Sequence, residues 1–186
     1  MGTDLRNEWK DEPRNYLSIT ARGFPNYFSN FSVRCADVQV SSGPNSPTGN
    51  GPVIPGLERA LDYIFSVVRK ISREDIAFLD PKQECIDEFI EHKDAYMQGM
   101  VFTDRCRSWY KNGKIDGPVV GPWCGSTLHF LEGIGSPRYE DYDIVYRSRN
   151  RFAFLGNGRS EVEGRNSDMS WYIGKDGKHP FRPDII

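Results

Sequence analysis

No Gly-x-Gly-x-x-Gly follows a strand anywhere in this sequence, and no Gly-Lys-Ser/Thr follows a glycine loop. The two common backbone cradles for a nucleotide phosphate are therefore missing. Nor is there a CxxC pair or a histidine at metal-ligand spacing, because Cys35, Cys85, Cys106 and Cys124 stand far apart. That excludes a zinc ribbon and points to reduced thiols in a cytoplasmic protein. No run approaches the roughly 20 apolar residues of a bilayer-spanning helix. Met1 to Lys10 is charged and lacks the apolar core of an export signal. Nothing here directs the chain to secretion or to a membrane, and the sequon Asn30-Phe31-Ser32 reads as a chance match. A basic excess is absent too: 24 Lys and Arg stand against 26 Asp and Glu, a net charge of −2, which argues against a nucleic-acid partner. No internal repeat is visible.

What is present fits one domain, or one with an appendage, in 186 residues. The 12 prolines, 18 glycines and 13% aromatic residues suggest a loop-rich chain with aromatic junctions. Tyr16 to Thr20 alternates like a strand, and Gly23-Phe24-Pro25-Asn26 breaks it. Ser29 to Ser42 reads equally as an exposed strand or an irregular loop. Gly43 to Pro52 holds three prolines and three glycines in ten positions, so it is neither helix nor regular strand. The strongest helix follows, with Leu57, Leu61, Ile64, Phe65, Val68 and Ile71 as its apolar face and Pro55 in its first turn. Asp75 to Leu79 predicts a short strand. A second helix after Pro81 carries Ile86, Phe89, Ile90, Lys93 and Met97 on one side and ends near Gly99. Asn112-Gly113 marks a turn, Val119 to Leu131, with Ser126 to Phe130, reads as a broken strand, and Pro137 opens a third helical pattern through Tyr139, Tyr142 and Tyr146.

Several features could carry chemistry. The loop at Gly43 to Pro52 is either a structural turn capping a helix, or a place where small residues let backbone approach a flat or anionic ligand at a helix start. Ser108-Trp109-Tyr110-Lys111 groups donors, an aromatic plane and a cation, as a ribose or phosphate site would. The other reading is core packing by Trp109 and Tyr110 beside an exposed lysine. His129, in an apolar run, reads as a satisfied core histidine in preference to a base, while His92 and His179 read as surface residues. Ser126, His129 and Asp141 could be a hydrolase triad on paper, but no Gly-x-Ser-x-Gly elbow supports it.

Six motifs in order give a more specific signal: Tyr16-Leu17-Ser18, Gly23 to Phe28, Gly43 to Gly51, Cys106 to Lys111, Trp123 to His129 and Asn150 to Gly156. Together they resemble the carboxy-terminal part of fungal flavin-dependent monooxygenases of the Baeyer–Villiger type, over most of the chain up to about Ile173. The resemblance implies an α/β class, the carboxy-terminal portion of a flavoprotein fold with two dinucleotide-binding domains, truncated and of mixed α+β appearance. On that pattern residues 1–72 are the return of the FAD-binding domain, 73–173 a carboxy-terminal extension and 174–186 a loose tail. It also implies an enzyme holding FAD, reduced by NADPH, that inserts one oxygen of O2 beside a small-molecule ketone in fungal secondary metabolism. Carried over by position, Asn45, Ser46, Thr48, Gly49 and Asn50 lie at the flavin and its pocket, and Ser108 and Trp109 reach toward the nicotinamide nucleotide. No catalytic residue and no metal is assigned.

The sequence departs from the family in lacking both dinucleotide fingerprints and the linker pattern of Phe-x-Gly followed by His and Trp. The resulting expectation is a truncated fragment without activity of its own. Ser29 to Ser42 reads as an insertion, real or a translated intron. With the first nucleotide-binding unit absent, the apolar face from Leu57 to Ile71 is expected to be partly exposed.

Overall fold

The computed structural model describes residues 4–29, 44–48, 51–165 and 169–170. Positions 30–43, Gly49, Asn50 and the tail from 171 onward, with His179, lie outside them. α1 (Leu5–Glu8) is a single turn capped by Asp4, whose carboxylate accepts from the N–H of Arg6. Two long helices follow, α2 (Val53–Arg73) and α3 (Gln83–Met97), separated by β1 (Ile76–Pro81). α4 (Thr127–Gly133), β2 (Tyr142–Tyr146) and α5 (Glu161–Gly164) complete the named elements, with short 3-10 turns between them. β1 and β2 pair antiparallel, from Ile76 opposite Tyr146 to Pro81 opposite Tyr142. The architecture is mixed helix and strand, as expected.

α2 forms where its 3.6-residue apolar period begins, and Lys70 and Arg73 in its last turn complement the dipole. The face it buries differs from the expected one. Gly56, Ala60, Tyr63 and Val67 turn inward, while Leu61, Phe65 and Val68 stay exposed. Fit decides this over bulk: a Cβ on Gly56 would stand 2.8 Å from Cγ of Pro47 and 3.7 Å from the Phe130 ring. The small residues bring the helix close to its neighbours, and the larger apolar ones are left on the adjoining side. Partial exposure of the stretch from Leu57 to Ile71 was the expectation, and it holds.

α3 buries Ile86, Ile90, Lys93 and Met97, the side read from the sequence. Lys93 is tolerated there because its ammonium donates to the Val119 carbonyl at 2.5 Å and pairs with Asp94 at 2.6 Å. Three other expectations are corrected. Tyr16 to Thr20 is a tight turn, with Leu17 and Ser18 at positive φ and a single bridge between its ends. Thr127–Gly133 is a helix because the Ser126 hydroxyl accepts from the His129 N–H and caps it. The segment after Pro137 is one 3-10 turn, Tyr139–Asp141, and then β2, whose period of two the tyrosine spacing had masked.

On the flank of β1, Asn26 acts as a one-residue strand. Its side-chain amide donates to the Ala77 carbonyl, its Oδ1 accepts from the Leu79 N–H, and its own N–H donates to the Leu79 carbonyl, each at 3.0 Å. Asn26 sits at φ 59°, a conformation Asn tolerates better than most residues.

A buried polar relay ties the amino-terminal turn to β2. Tyr16 donates its hydroxyl to Asp141, which also accepts from Arg138 Nε at 2.8 Å. Beside it Tyr63, Tyr142 and Thr20 share hydroxyl bonds of 3.0 and 3.2 Å. Burial pulls the Asp141 carboxyl upward, but the hydrogen bonds from Arg138 and Tyr16 outweigh it and hold it below the usual carboxylate range. A depressed carboxylate stabilises the fold fully above its unfolded pKa of about 3.9. That stability is lost as pH falls through the lower folded value. Thermal melts between about pH 5 and about pH 2 should therefore show a steeper acid loss for the natural chain than for Asp141→Asn.

Candidate functional site

The loop at Pro44 to Thr48 is held by backbone bonds that its sequence alone does not announce. The Asn45 N–H donates to the Val120 carbonyl at 2.9 Å and the Ser46 N–H to the Gly121 carbonyl at 3.0 Å. The Trp123 N–H returns a bond of 2.7 Å to the Ser46 carbonyl, so residues 45–46 run beside 120–123 as a short parallel bridge. Asn45 takes φ 60° and its side chain is almost wholly buried. Its Nδ2 donates to Asn15 Oδ1 at 2.9 Å, and Asn15 in turn donates to the Pro44 carbonyl at 2.8 Å. Among the described residues Asn45 Oδ1 has no hydrogen-bond partner. A buried acceptor left without a donor costs about 1–3 kcal/mol.

Ser46 and Thr48 share a hydroxyl bond of 2.9 Å, and both are buried. Pro47 sits against Gly56, which fixes the loop beside the first turn of α2. Gly51, at φ 136°, lies so close to α4 that a Cβ there would come within 2.4 Å of Thr127 Oγ1. Pro52 supplies no side-chain cap to α2, and Pro55 has no N–H to give. The donors at that helix start are the N–H groups of Val53 and Ile54.

Trp109 and Tyr110 reach the same bridge from its other side, while the Ser108 carbonyl accepts from the N–H groups of Lys111 and Gly113. The Tyr110 carbonyl accepts from the N–H groups of Val120 and Gly121 at 2.7 and 3.2 Å. A Cβ on Gly121 would stand 2.7 Å from the Trp109 ring and 2.9 Å from Tyr110 Cα. Val120–Gly121 thus joins two of the expected site groups, with Asn45 and Ser46, the latter bonded to Thr48, on one side and Trp109 on the other. Asn15 and this bridge were not singled out from the sequence, since neither bears a motif. Gly49 and Asn50 lie outside the described residues.

The core-packing alternative for Ser108 to Lys111 is reversed in two places. Trp109 is 60% exposed, whereas Lys111 is 2% exposed. The Lys111 ammonium donates to the carbonyls of Thr103, Asp104 and Ile115 at 3.2, 2.5 and 3.3 Å. It works as a staple and has no donor left to offer a phosphate.

His129 is exposed and not a core residue. Its Nδ1 accepts from the Trp123 indole at 3.0 Å, while Asp141 serves Tyr16 and Arg138, so these residues form no triad. His92 is exposed, as expected. Burial pushes the Cys124 thiol up, and burial followed by Asp141 does the same for Cys85. Neither is an activated nucleophile. Among the described residues no cluster of His, Cys, Asp or Glu could hold a metal ion, and no helix is long and apolar enough to cross a membrane.

No protein-family profile matches this chain. Among curated proteins it is 42% identical over 134 residues to the probable FAD-binding monooxygenase ltbD of Aspergillus luteorubrus, covering 72% of this chain and 27% of the relative. It is 36% identical over 175 residues to the FAD-binding monooxygenase stcW of Emericella nidulans, covering 92% of this chain and 27% of the relative. Among solved structures, cyclohexanone monooxygenase from Rhodococcus sp. Phi1 bound to NADP+ superimposes with a TM-score of 0.60 at 23% identity. That superposition covers 76% of this chain and 25% of the bacterial one. The chain thus spans about a quarter of the length of the relatives it matches.

Proposed function

Because the chain belongs to the FAD-binding monooxygenases, as a part of about a quarter of their length, we propose that it supplies the ring-side loop and helix of a Baeyer–Villiger-type enzyme. The observation that carries this reading is the loop at Pro44 to Thr48, pinned beside a helix start without a side-chain cap and containing a buried acceptor with no donor among the described residues. A ring edge that alternates carbonyl oxygens with an N–H, as the flavin pyrimidine does, complements such a set of donors and acceptor. The Val53 and Ile54 N–H groups and the α2 dipole would favour negative charge on that edge. Asn45 would offer Oδ1 to the ring N–H, and Ser46 and Thr48, with Gly49 and Asn50, would shape the pocket wall.

Bound FAD would supply the electrons and the oxygen-activating centre for insertion beside a ketone, with NADPH as reductant and O2 as co-substrate. On the far side of the Val120–Gly121 bridge, the exposed Trp109 plane and Ser108 would meet the nicotinamide nucleotide. In this reading residues 1–72 complete the FAD-binding domain and 73–173 form the extension that carries Trp109. A role in fungal secondary metabolism belongs to the same proposal. The missing glycine fingerprints favour a second reading for the chain by itself: without them it holds no dinucleotide phosphate and turns over no substrate.

A chimaera tests the first reading. The 186 residues replace the matching stretch of the Emericella nidulans relative, and bound flavin is read by visible absorption and by its reduction midpoint. We expect a flavoprotein whose flavin spectrum shifts on Asn45→Leu, with FAD held on the order of 10-fold more weakly. A chimaera that retains flavin but is indifferent to Asn45→Leu would remove Asn45 from the pocket.

A further inference from the structure

We infer that Lys93 of α3 is a positioning residue: it fixes the strip 119–123, and through that strip it holds Trp109 where the nicotinamide nucleotide meets it; this rests on the reading just given. The Lys93 ammonium, on a residue only 1% exposed, donates to the Val119 carbonyl at 2.5 Å. Next along the strip, Val120 and Gly121 give their N–H groups to the Tyr110 carbonyl, and their own carbonyls accept from the N–H groups of Asn45 and Ser46. At the far end the Trp123 ring stacks on Phe89, with the ring centres 5.5 Å apart. Phe89 and Lys93 stand four residues apart, on one face of α3. One turn of α3 thus grips the strip at both ends.

Stability by itself does not account for a lysine at this position. A buried ion pair such as Lys93–Asp94 is replaced by apolar side chains of like volume with little loss, because desolvation cancels most of the attraction. Methionine would continue the apolar row of Ile86, Ile90 and Met97. What methionine lacks is a donor for the Val119 carbonyl, so residue 119 would be free to slide along the helix face. The two sides of the site feel that slack unequally. Asn45 and Ser46 have supports besides the strip: Asn15 bonds both Asn45 and the Pro44 carbonyl, and Pro47 lies against Gly56. The Lys111 bonds of the Trp109 turn all fall within its own segment, on Thr103, Asp104 and Ile115. Beyond that segment the turn is held by the Tyr110 carbonyl, by ring packing of Phe102 and Tyr110, and by two surface bonds from Asn112 and Lys114 to the carbonyls of Lys10 and Asp11. Slack at Val119 therefore displaces Trp109 before it displaces Asn45.

The chimaera with the Emericella nidulans relative carries the test. Bound flavin is counted by visible absorption, and its anaerobic reduction is followed against NADPH concentration. Lys93→Met should keep flavin content and spectrum, while the half-saturating NADPH concentration rises on the order of 10-fold. Lys93→Arg, which keeps a cationic donor, should recover part of that loss. If Lys93→Met does not accumulate as soluble protein, Phe89→Leu slackens the other end of the grip with the ion pair intact. It should raise half-saturating NADPH roughly 3-fold, again with flavin retained. An unchanged NADPH dependence in the variant that is read overturns the inference. So does a folded variant that loses flavin in step with the NADPH effect, which would make Lys93 a staple of the fold like Lys111. A chimaera with Lys93 in place that holds flavin while these tests fail removes only the positioning role. One without flavin removes the functional reading beneath it, and this inference with it.

Discussion

Replacing Trp123 with alanine should cost about 3–5 kcal/mol of stability, the range for emptying a packed aromatic site. The indole is buried, stacks on Phe89 at 5.5 Å and meets Phe130 edge-on at 5.2 Å between ring centres. Its Nε1 donates to His129 Nδ1, so truncation also strips that acceptor of its donor. For a chain of this size the midpoint of thermal unfolding should fall by roughly 6–20 °C. The comparison is Trp109→Ala, which removes an exposed ring that meets Tyr110 edge-on and lies over Gly121 and should cost about 1 kcal/mol. Calorimetry of the two variants checks both figures. Equal losses would mean that the buried aromatic cluster around Trp123 stabilises the fold no more than an exposed ring does. The consequence reaches the candidate site, because the Trp123 N–H holds the Ser46 carbonyl.

Gly121→Ala should act on the bridge itself. The added methyl would meet the Trp109 ring at 2.7 Å and Tyr110 Cα at 2.9 Å. Trp109 can swing into solvent, but a backbone atom cannot yield without moving the whole turn. Overpacking of this kind costs about 1–3 kcal/mol. The two bonds from Val120 and Gly121 to the Tyr110 carbonyl should lengthen with it. Hydrogen exchange at the N–H groups of Val120 and Gly121 should speed up, with exchange in α3 unchanged. Gly99→Ala is the control: nothing lies within 4 Å of its added methyl, and it should be neutral or stabilise by about 0.4–1 kcal/mol. If Gly121→Ala behaves like Gly99→Ala, the contact between the two parts of the site is not a tight one.

These two positions show where the sequence could be read and where it could not. α2 and α3 were legible because their apolar residues repeat over four or more turns, long enough for the 3.6-residue period to stand out. β1 and the Asn112-Gly113 turn were legible from local chemistry, with Asn112 and Gly113 at φ 54° and 75°. α4 and β2 were exchanged because they are short. Tyr139, Tyr142 and Tyr146 satisfy helical spacing, while Tyr142, Ile144 and Tyr146 satisfy strand spacing, and only pairing with β1 decides. Seven residues of α4 carry too little period to outvote their β-branched and aromatic members, so the Ser126 cap settles it. The burial of Lys111 and exposure of Trp109 depend on which carbonyls converge after folding, and no local pattern encodes that. Gly43 to Pro52 was legible as irregular, which residues 44–48 bear out, but the partner that holds them, Val120–Gly121, is some 75 positions away.

Asn26 gives the small sheet a direction of growth. By taking the Ala77 carbonyl and both backbone groups of Leu79, it closes the outer side of β1 as a third strand would, using one side chain and one N–H. β2 has no such guard among the described residues, and its outer side presents ladder groups beside the exposed Val145. A strand from any source can therefore extend this sheet past β2 and not past β1. A single asparagine in a left-handed conformation thus makes this two-stranded sheet one-sided among the described residues, so that unwanted edge-to-edge pairing at high concentration would begin on the β2 side.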